Sequence, residues 1–231
     1  RDGVSLGRAM LVRLVALVFA LLVCAAIIYG LTGMNPLSVY AGIWDGAVGT
    51  NRRMWVTFRD AAILLCVGFA VLPAFRMRFW NVGAEGQVLM GGFMGAYFAY
   101  NFAHWPKPLL LLVMLAAGVI GGGLWALIPG ILKTRFNCSE SITTLMLNYV
   151  ALGWIKYLQY GPWKDPKAMG MPKMPLFEDN AVLPNVFGVH IGWLIALVLV
   201  LVVYIFMNYS KKGFEIAILG ESEDTARYAG V

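Results

Sequence analysis

The feature that most constrains this sequence is a series of long stretches almost free of charge. Pro108–Leu132 runs 25 residues without a charged side chain, and Leu14–Leu31 runs 18. A helix needs about 20 mostly apolar residues to cross the hydrocarbon core of a bilayer. Four further runs follow the same pattern: Ala61–Phe75, Gly86–Pro106, Ser141–Ile155, and Gly192–Tyr209 within Ala181–Ser210. A closed β-barrel would alternate apolar and polar residues in segments of about ten, and the run from Leu109 to Gly123 does not alternate. The expected fold is all-α, a polytopic transmembrane helical bundle with about six spans. Composition agrees: 60% of the residues are hydrophobic and 13% charged, against about 45–50% and 25% in soluble domains. A soluble enzyme, a nucleic-acid binder and a disordered tail are poor readings of such a chain.

The 18 basic and 12 acidic residues leave a net charge of +6. Lys and Arg in short flanks orient helical membrane proteins. With the N-terminus inside, Arg1, Arg8, Arg13, Arg76, Arg78, Lys133, Arg135, Lys211, Lys212 and Arg227 face the cytoplasm. The other eight fall mostly in two longer outer segments, where the rule counts for less, so a membrane protein with its N-terminus inside is expected. Trp55, Trp80, Trp105, Trp163 and Trp193 lie near the expected span ends, where amphipathic rings are favoured. Cys24, Cys66 and Cys138 form no C-x-x-C pair and read as small packing residues. The chain begins at Arg1 and stops in a polar segment at Val231, so residues 1–231 are expected to be one transmembrane domain cut from a longer protein, with residues 210–231 a cytoplasmic loop.

Five features carry more information than hydropathy. Trp80–Gln87 places Asn81, Glu85 and Gln87 beside Gly83 and Gly86, between two apolar runs. The run before it is short, so either the helix starts as early as Arg59 or the polar segment dips into the membrane. Glycine-interrupted spans are one pointer to a transport site, while a turn with Asn81 as cap and Glu85 near a helix N-terminus is the plainer reading. In the fifth run, Ser141, Thr144 and Asn148 share one helical face, with Thr143 to one side. This stripe reads as a solute path or as interhelical glue. Gly91/Gly95 and Gly118/Gly122 form two small-x-x-x-small pairs suited to close helix packing. Five prolines from Pro162 to Pro184 predict a stiff, wet, non-helical outer loop, either a partner surface or a connector. In the tail, Ser222 is placed to cap a short helix that Gly230 ends. No G-x-x-x-x-G-K-[ST] loop, catalytic triad or metal-ligand spacing occurs, so no catalytic residue or metal site is assigned.

Three segments, taken in order, resemble the permease subunits of bacterial ABC importers in the sugar and branched-chain amino-acid group, in its nucleoside and simple-sugar branch. Asn81–Gln87 is similar to the pattern N-I-G-x-E-G-Q, with Val82 for Ile. Glu140–Tyr149 is similar to E-V-I-T-T-L-M-L-N-Y, with Ser141 for Val. The tail is similar to a loop ending A-A-R-Y-A-G-I, with Thr225 for the first Ala. The resemblance implies ATP-driven import of a nucleoside or simple sugar by alternating access, and no chemistry in this chain. Asn81, Gly83, Glu85, Gly86, Gln87, Ser141, Thr144 and Asn148 are then candidates for the translocation path. Gly213, Gly220, Glu221, Ala226, Arg227, Tyr228 and Gly230 are candidates for coupling to an ATPase. The implied partners are a cytoplasmic ATP-binding subunit carrying ATP-Mg, a second permease subunit, an extracytoplasmic solute-binding protein and membrane lipid, with no nucleic acid and no cofactor in this chain. An ion-coupled secondary transporter is the alternative. It needs embedded acids or bases, and Glu85 is its one candidate.

Overall fold

The computed structural model describes residues 6–228 and residue 230; Arg1, Ala229 and Val231 lie outside the described residues. Among them are nine α-helices: α1 (Leu6–Thr32), α2 (Pro36–Val48), α3 (Asn51–Arg76), α4 (Ala84–Asn101), α5 (Lys107–Phe136), α6 (Glu140–Tyr160), α7 (Gly192–Tyr209), α8 (Lys211–Glu221) and α9 (Glu223–Tyr228). A short 3-10 turn at Asp179–Ala181 and a hairpin of β1 (Asn185–Val186) and β2 (Val189–His190) complete the described elements. The chain divides into two compact units, Arg1–Phe58 and Arg59–Val231.

In the first unit, α1 is apolar along its length and carries no buried residue, as expected for a helix that meets lipid. Gly33, in the left-handed region at φ 68°, ends it. The sequence reading missed α2, although its start is written plainly: Asn35 Oδ1 accepts from the Leu37 amide at 3.0 Å, and Pro36 occupies the first helical position. Tyr40 OH donates to Leu21 O at 2.6 Å and ties α2 back to α1. Cys24 is exposed on α1 and not packed away.

The short second apolar run now has its explanation. α3 starts at Asn51, eight positions before Arg59, so Arg52, Arg53, Arg59 and Asp60 ride on its early turns. Asp45 pairs with Arg53 at 2.6 Å, and Asp60 with Arg59 at 2.7 Å. Pro73 sits in the helix three residues before its end.

The second unit is knit around α4, α5 and α6. The two glycine pairs meet each other. A carbon added to Gly91 would lie 2.9 Å from Gly118 O, and one added to Gly122 would lie 3.2 Å from Gln87 O. Bare backbones therefore touch across α4 and α5, the use that small residues serve in membrane bundles. The proline-rich segment is no loose connector. Tyr100 OH donates to Pro175 O and Gln159 Nε2 to Pro172 O, both at 2.9 Å, and Asn180 Nδ2 donates to Ala103 O at 3.1 Å. Trp163 stacks on Phe93 with centroids 5.5 Å apart. Ala181 from the 3-10 turn joins Ala99 and Leu110 in a small apolar core.

Four described helices, α1, α3, α5 and α7, are long and apolar enough to cross a membrane. The six expected spans fall on these four and on α4 and α6. The last two carry more polar side chains and fall short of that measure by themselves. They are the helices that hold the candidate site.

Candidate functional site

After α3 the chain must turn sharply. Arg78 takes the left-handed conformation at φ 57°, and the Phe79 amide returns to Ala74 O at 2.9 Å. The next five residues, 79–83, are neither helix nor strand, so their backbone groups need outside partners. α6 supplies them. Thr144 is 1% exposed; its Oγ1 accepts from the Val82 amide at 3.2 Å and donates to Glu140 O at 2.7 Å. Asn148 is half-buried and uses both ends of its amide. Its Nδ2 donates to Val82 O at 2.9 Å, and its Oδ1 accepts from the Gly86 amide at 2.8 Å.

Gly86 lies in the first turn of α4, where amides have no partner within the helix. Asn148 thus caps α4 from another helix, a service usually rendered by the residue before the first turn. The sequence reading gave that role to Asn81. Its side chain instead folds back within the turn: Oδ1 accepts from the Gly83 amide at 2.9 Å and from Gln87 Nε2 at 3.3 Å. Gly83 is the cap residue, and it makes no side-chain cap bond.

Two glycines are required by space. A carbon on Gly83 would lie 2.9 Å from Thr144 Cβ; one on Gly86 would lie 2.8 Å from Asn148 Oδ1 and 3.2 Å from Trp125 Nε1. These distances are shorter than carbon contacts allow, so either methyl would pry the turn from α6. Each clasp bond contributes about 0.5–1.5 kcal/mol net, and a buried group stripped of its partner costs roughly 1–3 kcal/mol.

At the base of the clasp, Glu140 pairs with Lys133 at 2.9 Å, closing the α5–α6 junction across Asn137 in the left-handed region. The Lys133 hydrogen bond holds the Glu140 carboxyl below the usual carboxylate range, with a smaller contribution from the Trp80 backbone. Glu140 and Lys133 were not among the residues picked from the sequence. The signal was there, in the acid that Glu140 shares with the family pattern. Trp125 gave none; its Nε1 is buried with no hydrogen-bond partner beside Gly86.

The structure therefore brings together six of the eight residues picked for the path: Asn81, Gly83, Gly86, Gln87, Thr144 and Asn148. Ser141 enters through its carbonyl, 3.2 Å from Thr144 Oγ1. Glu85 is exposed in the first turn of α4 and makes none of these bonds.

The tail holds the coupling candidates. Ser210 Oγ accepts from the Gly213 amide at 2.9 Å and starts α8. Ser222 Oγ accepts from the Thr225 amide at 3.3 Å and starts α9, as its spacing predicted. Gly230, at φ 75°, follows the helix as its stop. The sequence reading did not foresee α8. Gly220, one of the coupling candidates, sits inside α8, where an added carbon would collide with Arg76 O. Gly213, in the first turn, faces the carbonyls of Phe206 and Met207 in the same way. Glu221 closes α8 and is exposed. On α9, Ala226 is fully buried and Tyr228 is 97% exposed, with Arg227 beside it also exposed.

Residues 54–231 match the family model described as "Branched-chain amino acid transport system / permease component". The chain is 32% identical over 233 residues to the guanosine ABC transporter permease protein of Bacillus subtilis, covering 96% of this chain and 64% of the relative. It is 30% identical over 211 residues to the glucose ABC transporter permease protein of Haloferax volcanii, covering 86% and 55%. It is 29% identical over 234 residues to the nucleoside ABC transporter permease protein of Lactococcus lactis subsp. cremoris, covering 97% and 64%. The chain thus spans between about half and two thirds of the length of these relatives. No solved structure matches it. With its long apolar helices it is a multi-pass membrane protein, and it belongs to the branched-chain amino acid transport system permease family.

Proposed function

We propose that this chain is part of the membrane-spanning permease subunit of an ATP-driven ABC importer, and that its solute is a nucleoside or a simple sugar. The observation that carries the reading is the match along 96% of the chain to a guanosine permease, with glucose and nucleoside permeases alongside. In this reading the chain spans the bacterial cytoplasmic membrane six times with its N-terminus inside. It pairs with a second permease subunit, takes solute from an extracytoplasmic binding protein, and receives energy from a cytoplasmic ATPase that holds ATP-Mg. It catalyses no bond change itself and needs no cofactor of its own.

The clasp gives the mechanism a concrete part. Asn148 and Thr144 spend their polar atoms on the backbone of residues 82–86, so they shape the path by holding the turn between α3 and α4 against α6. Gly83 and Gly86 let the turn approach; Asn81 and Gln87 brace it from within. The α8–α9 segment is the coupling element, with Tyr228 as its aromatic anchor. Alternating access then requires the two halves of the clasp to move as one body or to part.

The test is purification of the full-length protein from its native membrane. A co-purifying ATPase, and uptake of labelled guanosine or glucose by the reconstituted complex, are the expected results. A protein that purifies without an ATPase and transports on an ion gradient would refute the reading.

A further inference from the structure

The contact between Gly220 and Arg76 has no role in the clasp or in the capping of α8. Gly220 is the penultimate residue of α8, and Arg76 is the last residue of α3. The approach is backbone to backbone: a carbon on Gly220 would collide with Arg76 O and lie 3.7 Å from Met77 Cα. Glycine is needed there for space, since no positive φ demands it. Arg76 leads directly into the turn. Met77 and Phe79 donate back to carbonyls of the last turn of α3, Ala74 among them. Trp80 reaches Glu140 through its backbone, and Val82 meets Thr144 and Asn148. At the other end, the Ser222 amide bonds Ile218 O at 3.1 Å and Ala226 bonds Ser222 O at 3.0 Å, so α9 continues from α8 without slack.

Two features make this line of contacts suited to carrying motion. A long side chain between two helices absorbs a push by changing rotamer, whereas packed backbone does not yield in that way. And Pro73 removes an amide from α3 one turn before Arg76, which weakens the helix at that point and leaves its last turn free to tilt.

We propose that Gly220 is a positioning residue for energy coupling: it delivers displacement of α8 and α9 to the last turn of α3, and through residues 77–83 to α6. The inference rests on the reading that α9 meets an ATPase. Gly220 itself touches neither solute nor nucleotide.

The test uses the full-length permease with its co-purified ATPase in proteoliposomes. Gly220→Ala and Gly220→Val are compared with Gly123→Ala, where an added methyl meets nothing within 4 Å. The added carbon must displace the end of α3, so the melting temperature is expected to fall; the relay predicts that the Gly220 variants nevertheless keep their ATPase. Solute uptake per ATP hydrolysed falls roughly five- to tenfold, a loss at the lower end of site-to-site couplings, and more in Val than in Ala. Gly123→Ala keeps the wild-type ratio. Should Gly220→Val fail to accumulate, a cycle of Gly220→Ala with Thr144→Val decides. Two links of one relay give a double variant no worse than the poorer single, whereas independent sites multiply their losses. An unchanged uptake ratio in Gly220→Ala, or multiplied losses in the double variant, overturns the relay and leaves the importer reading standing. A wild-type protein with no ATPase overturns the importer reading, and the relay with it.

Discussion

The turn around Gly83 and the chain end around Tyr228 use their polar and aromatic groups in opposite ways. In the turn, Thr144 bonds in two directions, Asn148 bonds at both ends of its amide, and Asn81 and Gln87 pair with each other. Everything faces inward. On α9 one side chain, Ala226, is fully buried, while Tyr228 is 97% exposed at the end of the helix. Tyrosine and arginine are enriched at the energetic centres of interfaces, which supports the proposed contact of α9 with an ATPase. The contrast separates two roles that family motifs alone leave merged. The clasp residues bond within the chain; the α9 residues are the ones the proposal assigns to a partner.

Three variants can break or sharpen this contrast. The largest effect is expected from Tyr228→Asp. It would bury a charge without a partner in the proposed interface, at several kcal/mol, while leaving the clasp untouched. Co-purification of the ATPase should be lost or fall by at least about a hundredfold, with no change in the melting temperature of the permease. A drop in melting temperature with the ATPase retained would mean that Tyr228 serves the fold. Asn148→Ala should do the reverse. It strands the Gly86 amide and Val82 carbonyl, costing roughly 2–4 kcal/mol of stability, readable as a lower unfolding midpoint in detergent. Asn148→Asp should recover little, because a carboxylate cannot donate to Val82 O.

The smallest effect concerns pH. Lys133 lowers the Glu140 carboxyl from its reference of 4.5. A group with a depressed folded value stabilises above its unfolded pKa and loses that contribution as pH falls through the folded one. The side chains are 39% and 15% exposed, so the pair is screened and its share is at most about 1 kcal/mol. Melting temperature should fall as pH drops below the ordinary carboxylate range, and Glu140→Gln should flatten that slope. An identical acid slope in both proteins would remove the ion pair from the account.

Legibility in the sequence varied with the range of the interactions involved. α1, α5 and α7 could be read from apolar runs, because burial in lipid demands nothing beyond composition and length. The start of α3 could not, because Arg52, Arg53, Arg59 and Asp60 interrupt hydropathy without interrupting the helix. α2 announced itself in Asn35–Pro36, a cap signal overshadowed by the apolar segments on either side. In the clasp, the residue types were legible but the pairing was not. Val82 and Thr144 are 62 positions apart, and no local rule links them. The role of Gly220 was illegible for a related reason: only the position of Arg76 reveals that space, not conformation, requires glycine there.

The central claim, that this chain serves an ATP-driven importer through a contact on α9, meets its most direct test in proteoliposomes. The full-length permease is reconstituted with its co-purified ATPase and binding protein, and labelled guanosine uptake is followed with and without ATP on the ATPase side. The account predicts accumulation that needs ATP, persists after ion gradients are collapsed, and disappears in Tyr228→Asp. Accumulation that runs on an ion gradient without ATP, or that survives Tyr228→Asp unchanged, would contradict it.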